Sequence, residues 1–331
     1  NCDSPGGAGY GDVMDQAFEE ALLSDPRFED WADLRTTRHQ PALARTLEAC
    51  YAAWRANGNA ERPERPRVVI TDWHDVTSLP DIQITTEALT AWGMDIEFAD
   101  PRKLELDGDT LVKDSRPVDL VYKRAITKEL VQEPDAQALL TAYEAGTVCM
   151  VNSPRSPIVG NKKIMAVIQE PSILSRLSPA QRAAVKRFLP WTAILREGKT
   201  TIQGYKVDLG EFVRHNKDKL VLKPAQSYGG KDVYLGQDTE EEAWQRLVDE
   251  NIGDNTWVVQ EMVKIPKELF PVIEEDEVTM RLLNVNINPF VFGGTFAGAY
   301  TRISRSNVIN VASGGGIVPT KTIEPLDDGE L

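Results

Sequence analysis

The sequence predicts an α+β protein in which a small α/β domain precedes a larger, mostly antiparallel region. Residues 66–150 alternate strand-like and helix-like segments, as a compact α/β domain requires. Beyond residue 257, strand-like runs follow one another without an intervening helical segment. A polar, proline-containing stretch at 58–66 marks a boundary. We therefore predict an N-terminal segment over 1–65, a small α/β domain over 66–150 and a third region over 151–331.

The first half of the chain is predicted from spacing and turn residues. A glycine-containing, turn-rich start at 1–12 is followed by helical spacing of the apolar residues. Alternating residues around Asp107-Gly108 predict a hairpin over 104–112. Gly93 is expected to end a helix. The remaining predicted elements are helices over 13–24, 40–57, 85–92 and 135–145, and strands over 68–70, 96–98, 119–122 and 147–151.

The second half is predicted in the same way. Apolar runs on either side of a glycine-containing loop predict two strands around Lys223. A helix over 239–250 would cross back over these strands. The other predicted elements are helices over 161–169 and 178–189, a strand over 257–263, and three antiparallel strands over 278–285, 289–296 and 299–303.

Composition limits the classes of function. The net charge of −14 argues against a nucleic-acid partner, which needs clustered cations, but leaves room for ATP. The three cysteines lack the spacing of a zinc site or a disulfide framework, so a reducing cytoplasm is expected. No apolar run approaches the roughly 18 residues of a membrane-spanning helix, and no signal peptide is visible, so no membrane association is expected.

Lys223 and the loop after it form the most informative motif. Lys223 ends an apolar run, where a lysine is costly unless its charge is paired. The following loop, Ser227-Tyr228-Gly229-Gly230-Lys231, contains glycines that let backbone N–H groups approach phosphate oxygens. The combination favours a polyphosphate site, whereas Lys223 alone would be read as a sheet-edge residue.

Two further segments could complete a nucleotide site. Lys162 lies in the first turn of a predicted helix, where a cation opposes the helix dipole and an anion nearby would relieve it. The alternative is a solvated cationic turn. Gln260 and Glu261 end the predicted strand at 257–263, where a bend could offer adenine a backbone donor and acceptor. The alternative is that Gln260 and Glu261 are simply solvated residues at the end of a strand.

A glycine-rich segment near residue 310 contains cations and an amide. Arg302 and Arg305 carry planar, permanently charged groups suited to a phosphoryl group in transfer. Asn310 offers an oxygen of the kind that magnesium accepts. A surface loop with incidental arginines is the alternative. Neither a Walker loop nor a dinucleotide loop can be assembled, and His74 is expected to be structural.

Taken in order, these motifs resemble the ATP-grasp superfamily, and more narrowly its circularly permuted members related to glutathionylspermidine synthase. The set comprises the Asn161-Lys162 helix start, the Lys223-Pro224 strand with its flap, the Gln260 hinge and the Arg302–Asn310 segment. Asn1-Cys2-Asp3-Ser4-Pro5 matches the tail of the family's metal-binding motif, whose preceding Asp and Glu are not in this sequence. We therefore expect further sequence upstream of Asn1. No cysteine-dependent amidase segment is present.

The resemblance implies a circularly permuted ATP-grasp fold with a small α/β pre-ATP-grasp domain, and it implies ATP and Mg²⁺ as cofactors. Lys162 and Lys223 would contact the α- and β-phosphates. Arg302 would stabilise the transferred phosphoryl group, and Arg124 would reach the acyl phosphate or the substrate. The remaining implied roles are the flap for Ser227, Gly229, Gly230 and Lys231, the adenine slot for Gln260, Glu261 and Val263, and magnesium binding for Asn1.

The activity implied by the resemblance is ATP-dependent joining of a carboxylate to an amine. The substrates would be small molecules, such as an amino acid, a peptide or a polyamine, and a homo-oligomer is compatible with this reading. Two alternatives stay open: a phosphotransferase on the same fold, and a nucleotide-binding protein without turnover.

Overall fold

The computed structural model describes residues 3–24, 26, 38–202, 204–227, 230–275, 277–309 and 315–320. The described chain divides into two compact units. Unit 1 contains residues 3–157, 287–302 and 317–320, and unit 2 contains the described residues of 158–286 and 303–316.

Unit 1 begins with helices and a parallel sheet. Its regular elements are α1 (Ala8–Leu23), α2 (His39–Ala56), β1 (Arg67–Thr71), α3 (Leu79–Trp92), β2 (Asp95–Ala99), β3 (Glu105–Asp107), β4 (Thr110–Lys113), β5 (Arg116–Pro117), β6 (Leu120–Lys123), α4 (Thr127–Gln132), α5 (Gln137–Ala145) and β7 (Cys149–Val151).

The parallel sheet has the order β2-β1-β6-β7 and is buried on both faces. Alternate side chains of each strand point to opposite faces. Val69 and Val121 pack into a cluster with Leu139 of α5, whereas Ile70 and Tyr122 pack into a second cluster with residues of α2 and α3. Gly93 ends α3 with φ 105°, as the sequence predicted, and β3 and β4 form the predicted hairpin.

The prediction of a turn-rich start is wrong for residues 8–12, which form the first turns of α1. The glycines at positions 9 and 11 let neighbouring residues approach the α1 backbone closely. A Cβ atom at Gly9 would lie 2.8 Å from the Asp81 carbonyl oxygen, and one at Gly11 would lie 2.9 Å from the His39 ring. These glycines therefore let α1 pack tightly on its neighbours, at the cost in helix propensity that made the segment look like a turn.

Unit 2 is built on an antiparallel sheet. Its elements as far as residue 261 are α6 (Pro157–Gly160, whose first residue belongs to unit 1), α7 (Lys163–Ile168), α8 (Pro171–Leu174), α9 (Pro179–Phe188), β8 (Thr192–Ile194), β9 (Lys199–Ile202), β10 (Tyr205–Asp208), α10 (Leu209–His215), β11 (Leu220–Pro224), β12 (Tyr234–Leu235), α11 (Glu241–Asn251) and β13 (Trp257–Glu261).

The sheet order in unit 2 is β12-β11-β13-β8. Leu222 and Val259 face a hydrophobic cluster that includes Trp244 and Val248 of α11. This confirms that the helix after β12 crosses one face of the sheet. Val221, Lys223 and Gln260 alternate with these residues and therefore point to the opposite face.

The C-terminal strands are β14 (Lys267–Glu274), β15 (Glu277–Phe292), β16 (Thr295–Ser304) and β17 (Gly316–Val318), in the order β14-β15-β16-β17. The sequence predicted three strands between 278 and 303, and that division is wrong. The chain continues through Pro289 as one strand and turns at Gly293 and Gly294, whose φ angles are 57° and 82°. Proline lacks a ladder donor at a single position, so it need not end a strand.

The β9–β10 hairpin, α10 and β14 were not among the elements that the sequence predicted. None of the described helices combines the length and the apolar character needed to cross a bilayer.

Candidate functional site

The side chain of Lys223 lies on the open face of the unit 2 sheet. β11 and β13 pair with Lys223 opposite Val258 and Val221 opposite Gln260, so the lysine and the glutamine are diagonal neighbours. The Nζ atom of Lys223 donates a hydrogen bond to the Gln260 Oε1 atom at 2.5 Å. The Gln260 Nε2 atom in turn donates to the Thr192 hydroxyl at 2.8 Å, which fixes the amide's orientation.

A backbone hydrogen bond places Lys162 next to the end of β11. Its N–H donates to the carbonyl oxygen of Ala225 at 2.9 Å, just past the end of β11. Its Nζ atom donates to the carbonyl oxygen of Ser227 at 2.8 Å. The predicted helix start and the predicted strand end therefore meet in space, and their two ammonium groups become neighbours.

The two lysines form a cationic pair that lacks an anion. Burial and, to a smaller extent, the charge of the neighbouring Lys162 together lower the pKa of Lys223 to about 8. Burial also lowers the pKa of Lys162. Among the described residues, no carboxylate oxygen lies within 4.0 Å of either Nζ atom. Desolvated cations without a counter-ion suit a polyphosphate, so the residues present fit ATP.

The loop that was predicted to form a flap over the phosphates follows β11 in the chain. Ser227 donates from its hydroxyl to the Lys231 carbonyl oxygen at 3.2 Å, which closes the base of the loop. Gly230 has φ 77°, and a Cβ atom there would lie 2.7 Å from Val308. Lys231 is exposed. Gly229 lies outside the described residues. The returning strand, β12, is only two residues long.

A cavity of about 960 Å³ opens beside the predicted hinge. Glu261 and Val263 line it, together with Lys219, Leu235 and Asn284. Gln260 does not line it, because its amide is directed to Lys223 and Thr192. The N–H groups of Glu261 and Met262 are bonded to the carbonyl oxygens of Trp191 and Lys219, each at 2.8 Å.

The two predicted catalytic arginines, Arg124 and Arg302, belong to unit 1. The Nη1 atom of Arg124 donates to the Asp81 Oδ2 atom at 3.0 Å, and both side chains are almost fully buried. Arg302 donates from Nη2 to the Tyr300 hydroxyl at 2.6 Å. The Nε atoms of both arginines are buried and have no hydrogen-bond acceptor among the described residues.

The turn at Gly6 and Gly7 touches both arginine environments. A Cβ atom at Gly6 would lie 2.4 Å from the Arg124 Nη2 atom, and one at Gly7 would lie 3.2 Å from the Tyr300 ring. Asp81 holds this turn by accepting from the N–H groups of Gly7 at 2.9 Å and Tyr10 at 3.0 Å. Sequence reasoning missed Asp81. Its position after Pro80 signals the start of a helix, but its distant partners leave no local pattern.

The two residues predicted to bind magnesium, Asn1 and Asn310, lie outside the described residues. Asp3, from the same N-terminal motif, is held structurally: its carboxylate accepts from Lys123 Nζ at 2.7 Å, Thr127 Oγ1 at 2.5 Å and Ser156 Oγ at 2.9 Å. Within the described ranges, no group of three His, Cys, Asp or Glu side chains could hold a metal ion.

Comparison with known proteins identifies the fold and the family of the chain. A Frankia alni (strain DSM 45986 / CECT 9034 / ACN14a) protein, whose name of glutamate–cysteine ligase 2-3 is a provisional assignment, is 26% identical over 246 residues, which cover 69% of this chain and 27% of that protein. A solved structure of a glutathione synthetase like-effector (GSS30) from Globodera pallida, in its apo form, has a TM-score of 0.50 and 13% identity, covering 97% of this chain and 65% of that one.

D-alanyl-alanine synthetase A from Vibrio cholerae is structurally more distant, with a TM-score of 0.42, 12% identity and coverage of 81% of this chain and 77% of that one. The chain thus spans about a quarter of the length of the Frankia protein and 65% of the Globodera chain. A family model described as "Circularly permuted ATP-grasp type 2" matches residues 81–304, which is more than half of the chain. The fold is that of ATP-grasp proteins, and the chain belongs to the circularly permuted ATP-grasp type 2 family.

Proposed function

We propose that this protein is an ATP-dependent carboxylate–amine ligase that forms an amide bond through an acyl phosphate. The observation that carries the proposal is the pair of half-buried ammonium groups of Lys162 and Lys223, which has no carboxylate partner among the described residues. Family membership supports nucleotide use by this pair. The Frankia relative is named for a reaction of this class.

In the proposed complex, Lys162 and Lys223 contact the α- and β-phosphates of ATP. Ser227, Gly229, Gly230 and Lys231 form the flap over the phosphates. Adenine occupies the cavity beside Glu261 and Val263, since in the described chain the N–H of Val263 has no backbone acceptor. Gln260 holds Lys223 in place. A bound Mg²⁺ ion would neutralise phosphate charge, and Asn1 and Asn310 remain its proposed ligands.

The reaction needs little covalent work from the protein. A substrate carboxylate oxygen attacks the γ-phosphorus of ATP, the bond to the β,γ-bridging oxygen breaks, and ADP leaves. The amine nitrogen then attacks the acyl carbon and phosphate departs. Arg302, whose Nε–H has no acceptor among the described residues, would stabilise the charge on the transferred group, with Arg124 in a supporting role. The protein would accelerate the reaction by positioning the reactants and by excluding water.

The finer assignments belong to the same proposal. The substrates are small molecules drawn from amino acids, peptides or polyamines, and the relationship to glutathionylspermidine synthase is proposed at the level of reaction class. Because ATP is made available inside cells, turnover is proposed to be cytoplasmic. The homo-oligomer and the three-part domain division stay predictions.

Trapping with hydroxylamine tests the proposal. The protein is incubated with ATP, Mg²⁺, a panel of carboxylic acids and hydroxylamine, and products are followed by mass spectrometry. We expect a hydroxamate together with ADP, because hydroxylamine intercepts an acyl phosphate. Lys223→Ala should lose both products, whereas Lys186→Ala, which changes an exposed lysine of α9, should retain them.

Two other results would contradict the ligase assignment. A stable phosphorylated product without hydroxamate would indicate a phosphotransferase. ATP binding without ADP release for any member of the panel would indicate a nucleotide-binding protein that does not turn over.

A further inference from the structure

One face of the β14–β15 hairpin carries a continuous row of exposed apolar side chains. Residues two apart on β14 share a face of the hairpin, and each lies directly opposite a residue of β15 on that face. The pairs on this face, which we call the hairpin face, are Leu269 with Leu282, Pro271 with Met280 and Ile273 with Val278. All six residues are exposed, from 57% for Met280 to 75% for Ile273.

The opposite face of the same hairpin is different in character. Phe270 and Val272 alternate with the residues of the hairpin face and are half-buried, and Leu283 is buried. The charged residues Glu268 and Arg281 also belong to that opposite face. The exposed apolar residues are therefore concentrated on one face of the hairpin. Such a continuous patch usually marks a contact with another molecule.

The outer edge of β14 is poorly suited to pairing with a further strand. The N–H of Val285 donates to the carbonyl oxygen of Pro266 at 2.9 Å, so these two residues are a hydrogen-bonded pair. Because such pairs alternate along the ladder, Pro271 directs its backbone away from β15, toward the outer edge of the sheet. Proline has no N–H to donate there, which discourages edge-to-edge pairing. A partner would therefore pack on the hairpin face.

Charged residues of opposite sign lie at the two ends of the hairpin face. Lys267 shares the face of Leu269 at the base of the hairpin, Glu275 lies in the turn at its tip, and both are exposed. A two-fold axis that crosses the strands near Met280 would place Lys267 of each copy over Glu275 of the other. A second copy is thus complementary to this face, although the whole chain carries a net charge of −14.

We propose that the hairpin face is the interface of a homodimer, in which the β14–β15 hairpins of two copies pack face to face, with the tip of each over the base of the other. The six side chains expose roughly 600 Å² per copy, which approaches the roughly 800 Å² per partner of a standard interface. The contact is therefore at the lower end of specific interfaces, and we expect it to dissociate at micromolar concentrations. The inference does not depend on the proposed enzymatic function.

Sedimentation velocity between about 1 and 100 µM protein tests the interface. We expect a species of twice the chain mass at the upper end of this range. Met280→Glu should raise the Kd of the dimer at least about a hundredfold, because two carboxylates would meet in an apolar contact near the axis. Phe188→Glu is the matched control, because Phe188 is an exposed apolar residue of α9 and should leave the dimer unchanged.

A measurement of folding separates loss of the dimer from loss of structure. Because Met280 is exposed, Met280→Glu should keep the circular dichroism spectrum of the unaltered protein. A chain that stays monomeric over the whole concentration range would overturn the inference and leave the hairpin face to a different partner. A dimer that Met280→Glu does not weaken would also overturn it, because the contact would then lie elsewhere.

Charge reversal tests the arrangement of the two hairpins. Lys267→Glu and Glu275→Lys should each weaken the dimer, because like charges would then meet at both ends of the contact. The double variant should restore the affinity, and these effects should shrink at high salt. If the double variant instead dimerises as poorly as the single variants, the tip of one copy does not lie over the base of the other, and the proposed packing is wrong.

Discussion

In the proposed nucleotide site, Lys223 would couple nucleotide binding to protein stability. Its pKa of about 8 in the folded protein lies below the ordinary lysine value of 10.5. Between these values the unfolded chain binds more protons than the folded one, so the stability of the free protein rises with pH across that window. At neutral pH the charged, buried lysine therefore destabilises the free protein. A bound polyphosphate would remove this conflict by supplying the missing anion.

We expect ATP affinity to fall as pH rises above about 8. Below that value Lys223 is already charged, whereas above it ATP must draw a proton onto the lysine, which costs up to roughly tenfold in affinity per pH unit. Titrations of ATP between pH 7 and 9.5 measure the effect. Lys223→Arg should flatten the profile, since arginine stays charged throughout. A wild-type Kd that is constant over this range would contradict the role given to Lys223.

Several residues of the proposed nucleotide site stand out in the sequence at the level of single residues. A lysine in an apolar strand next to a glycine loop violates the usual pattern of burial, and such violations are visible in sequence. The role of Gln260 was not visible. Its contact with Lys223 depends on the register between β11 and β13, which local spacing does not reveal.

At the scale of elements, the turn after β12 depends on one tight backbone approach. A Cβ atom at Gly236 would lie 1.8 Å from the Lys217 carbonyl oxygen and 3.0 Å from that of Leu220. Neither backbone atom can swing away as a side chain would. This glycine therefore sets the distance between the turn and the chain segment that leads into the Lys223 strand.

Gly236→Ala should destabilise the protein by about 2 kcal/mol or more, because the backbone must shift to admit the methyl group. Urea unfolding followed by circular dichroism gives the change in the free energy of unfolding. Gly160→Ala is the control, since nothing lies within 4 Å of its Cβ position, and it should change stability little. Equal stability of the two variants would show that the turn relaxes freely.

The elements that the sequence predicted best are those with local signals. Ser178 begins α9 with a capping box that includes Gln181, Gly93 ends α3, and Asp107-Gly108 turns the β3–β4 hairpin. The errors have non-local causes. The glycines of α1 serve packing against distant residues, and Pro289 lies inside β15 although the sequence predicted a strand that begins there. Short segments such as β9 and β10 contain too few residues for an alternation of apolar and polar side chains to be recognised.

At the scale of the whole molecule, Asp3 ties the N-terminal segment to residues more than a hundred positions away. It binds Lys123, Thr127 and Ser156, and the Lys123 side chain is fully buried. Burial alone would raise the pKa of Asp3, but hydrogen bonds from Lys123 and Thr127 and the lysine's charge lower it. Burial lowers the pKa of Lys123, and Asp3 opposes that shift without reversing it.

Asp3→Ala should cost about 3–5 kcal/mol of stability, because it leaves a buried ammonium group without its counter-ion. Denaturant unfolding measures the loss, and the double variant Asp3→Ala with Lys123→Met should recover much of it. The lowered pKa of Asp3 adds a pH dependence. Its stabilisation is present above the unfolded value of 3.8 and is lost as pH falls through the folded value. A loss of stability below about 1 kcal/mol would show that the Asp3–Lys123 ion pair behaves as a solvent-exposed pair.

The path of the chain between the two units has a practical consequence for dissecting the gene. The boundaries fall at 157/158, 286/287, 302/303 and 316/317, so β15 and β16 each contribute residues to both units. A fragment that stops after Pro157 lacks residues 287–302 of its own unit, including Arg302. A C-terminal truncation that begins at or before residue 316 would therefore remove pieces of both units at once, and activity lost in such a deletion could not be assigned to either one. Point substitutions are the appropriate genetic tool for this chain.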